Sequence, residues 1–120
     1  MFINCSNHKK ENWCKKQLQA ASEWGEIIDI SFPIVSAIAD EDEIRRIAED
    51  TVKVIMDYKP DVVMCQGEFC LTYAIVKSLR EKNITVVAAC TERKSLEEVM
   101  PDGTTRKISS FEFSKFRKYL

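Results

Sequence analysis

Asp61-Val62-Val63-Met64-Cys65-Gln66-Gly67-Glu68-Phe69-Cys70-Leu71 decides the reading of this chain, because an apolar run passes through one glycine directly into a helical pattern. Asp61 to Gln66 reads as a buried strand and Gly67 as a turn. Glu68 to Lys82 reads as a helix, with Leu71, Ile75 and Leu79 on one stripe and Phe69, Tyr73 and Val76 beside it. Ile84 to Cys90, the most apolar run in the chain, then reads as the next strand.

The same grammar extends toward the amino terminus. Met1 to Cys5 is a strand, and Trp13, Gln17, Ala20, Ala21 and Trp24 fall at helical spacing before a stop at Gly25. Glu26 to Ile30 is a second strand, left through an irregular Phe32-Pro33-Ile34-Val35 connection. Asp40 caps a long helix with Ile44, Ile47, Ala48, Thr51, Ile55 and Tyr58 on one face, ended by Pro60. The resulting βαβαβαβ order predicts an α/β, Rossmann-like three-layer domain spanning residues 1–120. Its expected sheet has four parallel strands in the order 2-1-3-4, with helices on both faces.

After Arg93 the pattern changes. Leu96 to Met100 and Thr104 to Ser110 flank Pro101-Asp102-Gly103, which predicts a β-hairpin next to the fourth strand. The tail from Phe111 to Leu120 mixes Phe111, Phe113 and Phe116 with Lys115, Arg117 and Lys118. It is too aromatic for a solvated tail and is expected to pack on the core or on a second subunit.

Bulk properties narrow the function. The length suits one domain, and with 18 Lys and Arg against 19 Asp and Glu the formal charge is −1, which argues against coating long nucleic acid. No apolar run reaches the roughly 18 residues that span a bilayer, and no leader pattern opens the chain, so a soluble cytoplasmic protein is expected. Five cysteines without CxxC spacing suit free thiols rather than a disulfide framework. Cys5-x-x-His8 has no second pair to complete a zinc site, and neither Cys65 nor Cys70 has a resolving partner at a recognisable spacing. GxGxxG, Walker and HExxH motifs are absent.

Chemically capable residues gather where strands end. Ser6-Asn7-His8, Gln66-Gly67-Glu68 and Thr91-Glu92-Arg93-Lys94 each follow an apolar run, and in an open parallel sheet those ends line the ligand crevice. His8 is the only histidine and the natural group for proton transfer. Ser6, Asn7 and Gln66 are candidate donors to phosphate oxygens, and Gly67 would let the main chain approach a ligand. Glu68 is equally well explained as a helix cap or as a base or ribose contact. Arg93, with Lys94, could neutralise a phosphate or form a surface ion pair. Lys9 belongs to a basic cluster with Lys10, Lys15 and Lys16, whose other reading is a solvated helix face.

Phe2-Ile3-Asn4-Cys5-Ser6-Asn7-His8, the Trp13/Gln17/Ala20-Ala21 spacing, Phe32-Pro33, Met64 to Phe69 with Thr72-Tyr73, and the ending Phe111-x-Phe113-x-x-Phe116-Arg117-x-Tyr119 together resemble small CRISPR-associated proteins of type III systems. These are similar to a stand-alone CARF (CRISPR-associated Rossmann-fold) domain. The resemblance implies a ring nuclease, a homodimer that binds cyclic oligoadenylate, most often cyclic tetra-adenylate, across its two-fold axis and cleaves it to switch off antiviral signalling. Cleavage by attack of a ribose 2′-OH on the adjacent phosphorus needs neither metal nor cofactor. His8, Glu68 and Arg93 would be catalytic, and Ser6, Asn7, Lys9, Gln66, Gly67 and Lys94 would bind the ligand. Such proteins often carry proline after the loop histidine, where this chain has Lys9. Two alternatives use the same residues differently: a sensor or sponge that binds the ring without turnover, and a Rossmann-like regulator that works through an apolar surface around Phe111, Phe113 and Phe116.

Overall fold

A computed structural model describes residues 1–120. The chain runs β1 (Phe2–Ser6), a 3-10 turn (Lys10–Asn12), α1 (Lys15–Ser22), β2 (Ile27–Ser31), α2 (Glu41–Asp57), β3 (Val62–Cys65), α3 (Phe69–Glu81), β4 (Thr85–Val99) and β5 (Thr105–Lys118).

Alternation along β1 shows how the layers form. Ile3 and Cys5 point to one face and pack with Val63, Cys65, Val52 and Ile55 of the core beneath α2 and α3, joined there by Leu71, Ile75 and Leu79. Phe2 points the other way, into a smaller core with Trp13, Ala21, Ile27, Val62, Met64 and Val87 on the α1 side. The central strands read as continuous apolar runs because both of their faces are covered.

Local chemistry sets the helix ends. The Asp40 carboxylate accepts the Glu43 backbone N–H at 2.9 Å, and Glu41, Asp42 and Glu43 occupy the positive end of α2. Gly25, at φ +102°, turns the chain out of α1 into β2 with a conformation that side chains resist.

The sheet departs from expectation at its far side. It has five strands in the order β2-β1-β3-β4-β5, so it is mixed rather than an all-parallel sheet of four. The pairs β1–β2, β1–β3 and β3–β4 are parallel, whereas β5 runs antiparallel to β4. The expected hairpin forms around Pro101-Asp102-Gly103, but its arms are β4 and β5 themselves. The fourth strand does not stop at Cys90; it continues to Val99, with a register shift between Cys90 and Thr91. The tail continues β5, burying Phe113 and half-burying Phe116 against Phe2 and Trp13. No helix is long and apolar enough to cross a membrane.

Candidate functional site

The loop after β1 is built around a buried asparagine inside an otherwise apolar strand. Asn4 is 1% exposed, and its Nδ2 donates to the His8 carbonyl and to Asp29 Oδ1, each at 2.8 Å. Trp13 Nε1 donates to the same carbonyl at 3.1 Å. Ser6 Oγ lies 2.7 Å from Asn4 Oδ1 and accepts the His8 backbone N–H at 3.2 Å. Asp29 also receives the Lys10 N–H, which ties the loop to β2. A buried polar group must be paired, and here the pairing pins the main chain of His8 while leaving its side chain exposed.

Gln66 performs a related task at the end of β3. Its Oε1 accepts the Ala89 backbone N–H at 2.7 Å, extending the β3–β4 join past the last ladder pair, Met64 and Val87. Tyr119 closes the same end of β3 by donating from its hydroxyl to the Cys65 carbonyl at 2.7 Å, and burial pushes its phenol up from the ordinary tyrosine range.

These elements frame a cleft of about 750 Å³ on the α1 side, at the carboxyl ends of β1 and β3. Ser6, Asn7, His8, Gln66, Gly67 and Thr91 all line it, so the structure brings the first two expected segments together and the third only through its first residue. Asn12, Trp13, Cys14, Gln17, Met64, Ala89, Phe111 and Phe113 complete its walls. Ser6 differs from expectation in having its hydroxyl engaged within the loop. Gln66 keeps its Nε2 as a donor on the cleft wall. The cleft has no Lys, Arg, Asp or Glu among its lining residues, which leaves His8 as its only basic group.

The remaining candidates lie elsewhere. Glu68 caps α3: its carboxylate accepts the Leu71 N–H at 2.8 Å and the Cys70 N–H at 3.0 Å, and these bonds hold its carboxyl below the usual range. Both of its oxygens are therefore occupied, and it does not line the cleft. Gly67 is required by a ring rather than a ligand, since a Cβ there would stand 2.5 Å from the Phe32 side chain.

Arg93 and Lys94 are displaced because β4 does not end before them. Arg93 donates to Ser109 Oγ at 3.2 Å on the hairpin, and Lys94 pairs with Glu112 at 2.9 Å, which raises its ammonium above the ordinary lysine range. Lys9 is exposed ahead of the 3-10 turn and outside the cleft lining. The cysteines are free thiols. Cys5 and Cys65 are buried in register on neighbouring strands, and the hydrogen bond with Cys5, together with burial, pushes the Cys65 thiol up. No group of three or more His, Cys, Asp or Glu side chains gathers to hold a metal ion.

Asn4, Asn12, Trp13, Gln17, Phe111 and Phe113 were not marked as site residues by sequence. Asn4 carried a signal, an amide within an apolar strand, which cannot be buried there without partners. Trp13 and Gln17 read as a core-facing helix stripe, and Phe111 and Phe113 reach the cleft only through the hairpin register.

Fold and site together define an α/β protein with a neutral, amide-rich and aromatic cleft at the carboxyl end of its central strands. Residues 1–117 match the family described as "Uncharacterized protein MJ1673 family", and the chain belongs to that family. No curated protein and no solved structure matches the chain.

Proposed function

We propose that this protein binds cyclic oligoadenylate, with cyclic tetra-adenylate as the favoured ring, and cleaves it, acting as a ring nuclease that ends type III CRISPR signalling. The observation that carries the reading is the cleft at the carboxyl ends of β1 and β3, where one histidine meets side-chain amides and aromatic rings. Adenine bases offer faces to stack on Trp13, Phe111 or Phe113, and edges that hydrogen-bond to amides. The CARF resemblance of the β1 loop and of Met64 to Phe69 adds to it. A symmetric ring suits two copies related by a two-fold axis, so the acting unit in this proposal is a homodimer.

In the proposed reaction a ribose 2′-oxygen attacks the neighbouring phosphorus. The 2′-O–P bond forms, the P–O5′ bond breaks, and the products end in a 2′,3′-cyclic phosphate and a 5′-hydroxyl. His8 takes the 2′-OH proton or delivers one to the leaving 5′-oxygen, its main chain held by two donors to its carbonyl, Asn4 and Trp13, and by Ser6 Oγ, which accepts its N–H. Asn7, Asn12 and Gln66 Nε2 supply donors to the phosphate oxygens. Glu68 and Arg93 have no part in this version, because one caps a helix and the other lies on the hairpin.

The test is incubation of purified protein with cyclic tetra-adenylate and cyclic hexa-adenylate in EDTA, with products separated by chromatography. Cleaved products ending in cyclic phosphate are expected, with a loss of about 10²-fold or more in His8→Ala. A second reading, a sensor or sponge, is favoured by the absence of a fixed cation in the cleft lining, and it predicts tight binding without products. Absence of binding to either ring removes both readings.

A further inference from the structure

The β4–β5 hairpin extends well beyond what the body requires. The radius of gyration of the whole chain, 17.4 Å, exceeds the roughly 14 Å expected for a compact chain of this length. β4 pairs with β3 only as far as Val87, so from Thr91 to Val99 its sole neighbour is β5, over a reach of about 30 Å. Both faces of this ribbon are in solvent, and from Thr105 to Glu112 every β5 residue except the half-buried Ile108 is exposed. A two-stranded ribbon is marginal alone in water, and an open strand edge is a template for pairing with another chain.

We propose that β5 of two copies pair antiparallel, edge to edge and centred on Ser109, to make one continuous sheet in which Lys107 of the second copy stands beside Phe111 at the cleft wall. Two independent features select this centre. The first is the uninterrupted segment. β5 starts at Thr105, after the turn, and its regular register ends at Phe113, because Ser114 is the extra residue between the pairs Thr91–Phe113 and Cys90–Lys115. A bulge ends regular pairing, and Ser109 is the midpoint of what remains.

The second feature is charge. A two-fold axis normal to the sheet at Ser109 sets Arg106 opposite Glu112, Lys107 opposite Phe111 and Ile108 opposite Ser110 of the other copy. Within one chain Glu98 lies opposite Arg106, and Lys94 pairs with Glu112. Across the joined sheet Arg106 therefore stands between Glu98 of its own chain and Glu112 of the second copy, while Lys94 of that copy reaches the same Glu112 diagonally and offsets Glu92, its register partner. On the other face the row runs Glu97, Lys107, then Phe111 and Arg93 of the second copy, which places an exposed aromatic ring between two cations. Other centres fit worse. Phe111 as centre sets Lys107 against Lys115, and Glu112 as centre sets that carboxylate against itself.

The same register brings a cation to the mouth of a cleft that has none. Phe111 and Phe113 line the cleft from the hairpin base, and Lys107 of the second copy arrives on the face that carries them. This consequence rests on the nucleotide reading, whereas the pairing does not.

Sedimentation of the full chain without nucleotide tests the pairing. A dimer is expected, with Arg106→Glu and Glu112→Arg each weakening it by about tenfold or more through like-charge contacts, and with the double exchange restoring it. Ser109→Cys, facing its own copy, is expected to form a 109–109 disulfide under diamide that the parent chain cannot form. A monomer at the highest soluble concentration, a dimer indifferent to both charge reversals, or a Ser109→Cys dimer that yields no 109–109 link overturns the proposal. Lys107→Ala is expected to keep the dimer and weaken binding of cyclic tetra-adenylate; unchanged binding overturns the assignment of Lys107 to the cleft. Because the mass and cross-link readouts use no nucleotide, failure of the pairing and failure of ring cleavage remain distinguishable.

Discussion

The body and the hairpin arm are held together by different forces. Twenty-five of the 26 buried residues lie at or before Val87, and the one beyond it, Phe113, sits where the arm leaves the body. The body is stabilised by apolar burial on both faces of a parallel sheet. The outer arm is a backbone ladder with charges on both faces, including the Lys94–Glu112 pair. Substitutions should therefore act strongly in one region and weakly in the other.

The largest effect is expected in the core beneath α3. Leu79 and Ile75 are fully buried, and truncating either to alanine removes packed methyl groups and leaves a cavity, at a cost of about 2–5 kcal/mol. Urea unfolding followed by circular dichroism measures it. A loss no larger than that of a surface substitution would contradict the division between body and arm.

Next come two positions where the body supports the cleft. Gly67→Ala drives a methyl group into the buried Phe32 ring, and overpacking of this kind costs about 1–3 kcal/mol. Asn4→Ala removes the amide that joins the His8 carbonyl to Asp29 and leaves buried polar atoms unpaired, also at about 1–3 kcal/mol. The two changes differ in their second readout. Asn4→Ala should shift the fluorescence of Trp13, whose indole shares the His8 carbonyl, and Gly67→Ala should leave it near the parent value.

The same contrast explains what could be read from sequence. In the body each segment announced itself, because a strand covered on both faces is a continuous apolar run and α2 and α3 show clean stripes. Thr91-Glu92-Arg93-Lys94 read as a loop for a physical reason: a ribbon in water on both sides has no apolar face, so its residues show neither a core run nor the alternation of a half-buried strand. Misplacing the end of β4 displaced Arg93 and Lys94 from the site and hid Phe111 and Phe113, whose arrival at the cleft depends on cross-strand register. Glu68 was ambiguous for another reason. A carboxylate at a helix start serves a cap and a ligand equally well in sequence, and only the two N–H contacts separate them.

That cap gives a pH-dependent test within the body. Glu68 has a lowered carboxyl pKa in the folded protein, so its contribution to stability is full above the ordinary glutamate value of 4.5 and is lost as pH falls through the lower folded-state value. Glu68→Gln should therefore have a lower Tm than the parent at neutral pH, and the gap should narrow on acidification below that range. A gap that stays constant with pH would mean that the hydrogen bonds, rather than the charge, carry the cap.

The smallest effect is expected at the outer arm, and it sharpens the comparison most. Leu96 is 68% exposed on β4, opposite Ile108, so Leu96→Ala in the isolated chain should change unfolding stability by no more than about 0.5 kcal/mol. If β5 pairs with a second copy, Ser110 of that copy stands beside Ile108, the cross-strand neighbour of Leu96, and the ribbon that holds Leu96 gains a further strand. The same substitution should then cost more at concentrations where the dimer forms than where it does not. Unfolding at two protein concentrations on either side of the dimer transition makes the measurement. A cost that grows with concentration assigns the arm to association, and an equal small cost at both leaves its stability to the ladder hydrogen bonds alone.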